Sequence, residues 1–194
     1  MPHNLVCCGR CAAPLAAPAS RCGRCHEWAD RDLCVLAPLR YDFPLDQMIA
    51  RLKYDGDLTI LPALAQLLPA RPPHWPDHQR AFIVPLPLHR RRQRVRGFNQ
   101  AGLLAAALSK QWHWPLRRRW LVRQRDTEPQ VSLRGDARQH NVADAFSARH
   151  HVHGKHVCIV DDVMTSGATV LAAAAALRAA GALTVRAVVL ARAG

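Results

Sequence analysis

Four apolar residues running into two adjacent carboxylates, Val157-Cys-Ile-Val-Asp161-Asp162, constrain this chain more than any other stretch of it. Such a run reads as a strand buried on both faces, the kind a parallel sheet requires. The turn Thr165-Ser166-Gly167-Ala168-Thr169 follows, then an alanine-rich helical run. The order predicts a βα unit whose acids emerge at the C-terminal end of the strand, where open α/β sheets bind ligands. Backbone N–H groups and hydroxyls at the following helix N-terminus suit an anion. Two neighbouring carboxylates accept hydrogen bonds from a vicinal diol. Together they predict a seat for a phosphorylated sugar. An ordinary strand-turn-helix needs only a capping Thr or Ser, and no acid pair.

Over these thirteen residues the chain resembles the 5-phosphoribosyl-1-pyrophosphate (PRPP) motif of the type I phosphoribosyltransferases. The resemblance implies that Asp161 and Asp162 contact the ribose 2′- and 3′-hydroxyls. It also implies that Thr165, Ser166, Gly167, Ala168 and Thr169 wrap the 5′-phosphate.

At 194 residues, 49% of them hydrophobic, the chain can bury the core of one α/β domain and a small appendage. No apolar run reaches membrane-spanning length. The first residues lack the basic and apolar regions of a signal peptide, so a cytoplasmic protein is expected. The net charge is +13 and unevenly spread. His89 to Asn141 carries twelve Arg and Lys110 against Asp126, Glu128 and Asp136, a net +10. Such a segment favours an anionic partner, pyrophosphate or nucleic acid; a solvated basic surface accounts for it equally well. Arg suits bidentate phosphate contacts, but a high-GC genome also inflates Arg, Ala and Pro.

Six of the seven cysteines lie in the first 35 residues. Cys8-Gly-Arg-Cys11 and Cys22-Gly-Arg-Cys25 are matched knuckles. Glycine lets each turn so that both thiolates face one point, and four thiolates suit a closed tetrahedral zinc site. Few apolar side chains surround them, so the metal would supply most of the local folding free energy. Cys7 is an alternative to Cys8, although only Cys8 has the two-residue spacing to Cys11; Cys34, His3 and His26 are spare donors. Disulfides are not expected in a reducing compartment. Cys158 reads as a small buried hydrophobe.

Leu39 to Leu68 predicts two helical pieces, with Pro44 in the first turn, a turn at Tyr54-Asp-Gly-Asp57, and an N-cap at Asp57 or Thr59. Pro69 to Asp77 is proline-rich and expected to be exposed. Phe82 to Pro85 predicts a strand leading into a basic loop, His89 to Arg96, ahead of a helix from Asn99 through Lys110. Residues 117–123 predict a further strand. Arg123 to Asn141 reads as a long polar loop of the kind that closes over active sites. Ala168 to Ala180 predicts a helix with Gly181 at C′, and Leu183 to Leu190 the last strand. Strands and helices alternate from Phe82 onward, as in a parallel α/β sheet. Trp112, Trp114 and Trp120 suit either base stacking or partly buried core, with core favoured.

Across its length the chain resembles the ComF family of competence-associated proteins. The residues that carry this are the two Cys-Gly-Arg-Cys knuckles, Arg51-Leu-Lys53-Tyr54-Asp-Gly56, Val84-Pro85-Leu86-Pro87-Leu88-His89-Arg90-Arg91-Arg92, Arg96-Gly97-Phe98-Asn99-Gln100-Ala101, Arg123-Gln-Arg125-Asp-Thr127-Glu-Pro-Gln130 and Arg138-Gln-His-Asn141. The resemblance implies an α/β fold of type I phosphoribosyltransferase kind, a parallel sheet flanked by helices. It also implies a small N-terminal zinc ribbon at 1–36, ahead of a phosphoribosyltransferase-like domain at 37–194. It implies binding of PRPP or a related sugar phosphate with Mg²⁺, structural Zn²⁺ on Cys8, Cys11, Cys22 and Cys25, and a link to DNA uptake. Single-stranded DNA and a DNA-uptake ATPase are the implied partners. As an enzyme it would use Asp161 and Asp162 on the ribose and Arg90, Arg96, Arg134 or Arg138 on the pyrophosphate. A nucleic-acid-binding factor with a regulatory or relic PRPP site is the alternative.

Overall fold

The computed structural model describes residues 1–30, 32–72, 81–125 and 145–194. In chain order its elements are α1 (Gly23–His26), β1 (Cys34–Leu36), β2 (Leu39–Arg40), α2 (Leu45–Ala50), a π-helical turn (Arg51–Asp55), a 3₁₀ turn (Leu58–Ile60) and α3 (Leu61–Gln66). There follow β3 (Phe82–Pro85), α4 (Arg90–Arg96), α5 (Gln100–Trp112), β4 (Leu121–Arg123), β5 (Phe146–Ala148), β6 (His156–Met164), α6 (Ala168–Ala179) and β7 (Thr184–Arg192).

The main sheet is parallel and ordered β1-β7-β6-β3, with β2 pairing β7 beside β1. Val157, Cys158, Ile159 and Val160 of β6 have no exposed surface. Their side chains alternate between two apolar clusters, as the pleat demands. Val157 and Ile159 join Val185, Ala187 and Val189 of β7 and Ala173 and Leu177 of α6. Cys158 and Val160 join Val188 and Leu190, Leu104 and Leu108 of α5, and Ile49, Leu52 and Leu64. Each face of the sheet thus has its own helical layer, the arrangement that makes a parallel sheet stable. Cys158 behaves as the small hydrophobe expected, and burial pushes its thiol pKa well up.

Helix α6 ends as a Schellman motif. Gly181 takes φ +88°, its N–H donates to Arg178 O, and Ala182 N–H donates to Leu177 O. A β-carbon at Gly181 would overlap the His153 ring, so position as well as φ favours glycine.

Several elements depart from expectation. The acids do not end β6: the strand runs on to Met164 because β7 stays beside it, pairing Val163 with Ala191 and Met164 with Arg192. The basic run after β3 is helix α4, not a loop. Arginine is a good helix former, His89 caps the N-terminus by accepting from Arg91 N–H, and Gly97 at φ +81° ends it. Leu39 and Arg40 form β2 ahead of the predicted helix. Only Leu121–Arg123 of the 117–123 segment is strand, and it pairs antiparallel with β5 apart from the main sheet. β1 lies in the main sheet, and Cys8, Cys11, Cys25 and Trp28 share one apolar cluster with α6 and β6. Trp112 is core, 5% exposed, with its indole N–H donating to Pro69 O. No helix among the described residues is long and apolar enough to cross a membrane.

Candidate functional site

β6 carries the acids past the end of its neighbour. β3 pairs with β6 only as far as Pro85 opposite Val160, and Leu86 N–H closes that edge on Val160 O. On the other edge the register with β7 runs from His156 to Asp161, omits Asp162, and resumes at Val163. The clusters change sides across this gap: Val163 packs with Val160's cluster and Met164 lies in Ile159's. The pleat therefore loses phase at the two acids. Asp161 Oδ1 accepts the N–H of Asp162 at 2.9 Å.

The two carboxylates have different surroundings. Asp162 is 3% exposed, and its Oδ2 lies 2.5 Å from Lys53 Nζ. Asp161 keeps partial solvent contact. Burial of its carboxyl, then the charge of Asp162, raises the Asp161 pKa well above 3.8, with Lys53 pulling the other way. Lys53 comes from the π-helical turn that continues α2, which Gly56 ends at φ +66°. Burial works to lower the Lys53 pKa, but the Asp162 carboxylate outweighs it and the net shift is upward. Lys53 was not among the candidate site residues. Its signal was compositional: it is one of three lysines in a chain with 24 arginines, next to the buried Leu52.

The turn after β6 exposes Thr165 and Ser166 and buries Gly167. Gly167 caps α6 at φ +89°, and Ser166 Oγ accepts from Ala168 N–H at 3.3 Å. Ala168 and Thr169 open the helix, half-buried. The acids and the turn thus lie within one strand end and one helix start.

The arginines divide. α4 leaves the sheet just after Leu86, at the same edge as the acids, with Arg90 exposed on its first turn. Arg96 is half-buried and donates to Gln100 Oε1 at 2.7 Å. Asn99 Nδ2 bonds Leu86 O at 3.0 Å, so the Arg96-Gly97-Phe98-Asn99-Gln100 block fixes α4 and α5 against the end of β3. Arg134 and Arg138, and the predicted loop from residue 126 on, lie outside the described residues.

Cys8, Cys11, Cys22 and Cys25 converge as the knuckle spacing predicts, with all four Sγ atoms within 4.8 Å of one another. The separations 3.5 Å (Cys8–Cys25), 3.4 Å (Cys11–Cys22) and 3.8 Å (Cys22–Cys25) approach the ~3.8 Å edge of a tetrahedron with ~2.3 Å metal–sulfur bonds. Burial opposes ionisation of Cys8, yet backbone N–H groups of Cys11 and Arg10 aimed at its sulfur lower its pKa to about 6. Burial, reinforced by the Cys8 charge, raises Cys11 and Cys25. One ready thiolate among three close sulfurs is a donor set that a soft divalent cation completes, so the residues fit zinc. Cys7 and Cys34 lie outside the cluster.

The phosphoribosyl transferase domain family matches residues 97–194, from the glycine that ends α4 to the C-terminus. The DNA utilization protein YhgH of Shigella flexneri is 34% identical over 187 residues, covering 92% of this chain and 81% of that protein. Its Salmonella typhimurium counterpart is 36% identical over 191 residues with the same coverage. Competence protein F of Haemophilus influenzae is 33% identical over 171 residues, covering 84% of this chain and 74% of that protein.

Proposed function

Because the chain belongs to the ComF family and carries a phosphoribosyl transferase domain, we propose that it seats PRPP with Mg²⁺ across β6 and the turn behind it, and binds or transfers the 5-phosphoribosyl group. The observation that carries this reading is Asp161: a residue that keeps partial solvent contact while its carboxyl is hard to ionise, next to a buried ion pair and four residues before an exposed hydroxyl turn. A group held in that state gains most from a cationic ligand. Asp161 would face the ribose diol, and Lys53 would hold Asp162 in place beside it. Thr165 to Thr169 would take the 5′-phosphate on hydroxyls and N–H groups at the start of α6. Arg90 and Arg96 would approach the pyrophosphate from α4. When bound, Mg²⁺ would neutralise charge on the pyrophosphate. In a transfer, the bond from ribose C1 to pyrophosphate breaks and one to an acceptor forms. Negative charge at Asp161 then stabilises the cationic carbon between them. The same proposal includes a cytoplasmic location, which the seven free cysteines support.

Asp161→Asn tests this by a pair of opposite effects. A carboxyl whose folded pKa is raised costs stability as pH climbs from 3.8 to that folded value. The variant should therefore be more stable than wild type at neutral pH by urea denaturation. Calorimetry should show PRPP–Mg²⁺ affinity at least tenfold weaker, about 1.4 kcal/mol. A carboxylate kept for structure gives the reverse sign in stability and no change in affinity.

A second anionic partner is favoured by a separate cleft. Arg117, Arg118, Arg119, Arg149 and His151 line about 410 Å³ together with Trp120. The Arg117 guanidinium lies 5.0 Å from the Phe82 ring centre and 5.7 Å from Trp120. Aromatic rings beside guanidinium groups suit single-stranded nucleic acid, and the relative YhgH is named a DNA utilization protein. Arg118→Ala with Arg119→Ala should reduce the magnitude of the salt slope of single-stranded DNA affinity by about 1–2. An unchanged slope moves DNA off this cleft.

A further inference from the structure

The four-cysteine module is built into the turn that would hold the phosphate. Arg192, the last residue of β7, is 1% exposed. Its Nε donates to Cys11 O at 3.2 Å, and its Nη1 donates to Met164 O at 3.0 Å, Ala193 O at 2.6 Å and Thr165 O. One buried guanidinium therefore joins a knuckle carbonyl to the first carbonyl of the turn. Trp28 makes the second link. A β-carbon on Gly167 would fall 2.9 Å from Trp28 Cζ2, so the indole forms the floor under the turn. Arg10 braces that indole: its guanidinium lies 5.5 Å from the ring centre and donates to Cys25 O at 2.6 Å and to Asp30 O. Asp30 in turn takes Arg178 Nε of α6 at 2.7 Å.

These contacts share an origin. Both carbonyls that the two arginines take from the knuckles, Cys11 O and Cys25 O, belong to cysteines of the cluster. Four thiolates around a divalent ion leave a net charge of about −2, and a buried guanidinium on a ligand's own carbonyl offsets it. Without the ion the knuckles lose their common centre. Arg192 and Trp28 then lose the support that fixes where they meet the turn.

We propose that Arg192 and Trp28 are positioning residues that hold the Thr165–Gly167 turn in its anion-binding shape only while the four-cysteine centre is filled. The proposal rests on the reading of that turn as a phosphate seat. By linkage, a ligand in the turn should in turn raise the affinity for the metal.

Hydrogen exchange on the full chain, zinc-loaded and after chelation, tests the coupling without any ligand. Amides of residues 165–168 should exchange at least tenfold faster after chelation, while those of Val157–Val160 keep their protection. Unchanged exchange at 165–168 overturns the proposal. Equal loss across β6 also overturns it, because the centre would then support the whole fold. A second measurement uses Trp28→Phe, which keeps an apolar ring and all four thiolates. It should retain full zinc content and bind ribose 5-phosphate at least tenfold more weakly than wild type. Full zinc with unchanged ribose 5-phosphate affinity overturns the role of Trp28. If zinc-loaded wild type binds no ribose 5-phosphate, the phosphate-seat reading fails, while the exchange result still decides the coupling.

Discussion

Lys53→Met is expected to lower the stability of the fold by about 3–5 kcal/mol, the cost of leaving one member of a buried ion pair without its partner. Asp162 is 3% exposed, and the Lys53 ammonium 2.5 Å away is the cation matched to it. Methionine keeps the packing of the stem but removes the charge, so the carboxylate must either stay ionised in an apolar setting or take up a proton. Urea denaturation at neutral pH reads the loss directly. The double variant Lys53→Met, Asp162→Leu should recover most of it, because replacing a whole buried pair with apolar groups is often neutral. The pH dependence has a definite sign. The Lys53 pKa is raised above 10.5 in the folded chain. Its contribution is therefore fully present below pH 10.5 and declines as pH rises through the folded value. The gap between wild type and Lys53→Met should stay constant from pH 7 to about 10 and narrow above that. A gap that closes between pH 7 and 9 would show that the pair does not carry the effect.

Much of this architecture is legible in the sequence, because short patterns encode it. The apolar run at 157–160, Gly181 at C′ and the two Cys-x-x-Cys knuckles each specify a local geometry that needs no distant partner. What escaped is what depends on distance along the chain. Lys53 belongs with Asp162 only because a π-helical turn and a central strand meet at one edge of the sheet. The buried Arg192 lies beyond the strand expected at Leu183 to Leu190, and its role comes from carbonyls in two remote segments. β1 was hidden because Cys34 read as a spare metal donor, whereas its backbone pairs with Arg186. The basic run at 90–96 departs from the expected loop for a different reason: a dense run of charge does not oppose helix formation by arginine, and His89 and Gly97 supply the cap and the stop.

Cys25→Ser is expected to abolish zinc binding and release residues 1–30 from the sheet, whereas Cys7→Ser and Cys34→Ser keep about one zinc per chain. The cluster explains the contrast. Cys25 is fully buried, 3.5 Å from Cys8 and 3.8 Å from Cys22, while Cys7 and Cys34 stand outside the group of four. Apolar burial alone is too small to hold this segment. Its buried hydrophobic side chains are Cys8, Cys11, Ala12, Ala13, Cys25 and Trp28, and three of those six belong to the four-cysteine cluster. Its strand pairing among the described residues is confined to isolated bridges, Cys7 with Pro14, Cys8 with Ala19 and His3 with Leu39. Structural zinc contributes about 10–16 kcal/mol of apparent binding free energy in small cysteine and histidine modules, far more than those contacts. Losing one of four thiolates opens the tetrahedron and removes most of that term. Metal analysis of the purified variants gives the zinc content, and limited proteolysis reports whether the first thirty residues have come free. Undiminished zinc in Cys25→Ser, or its loss in Cys7→Ser, would reassign the ligands and with them the link from the knuckles to the turn.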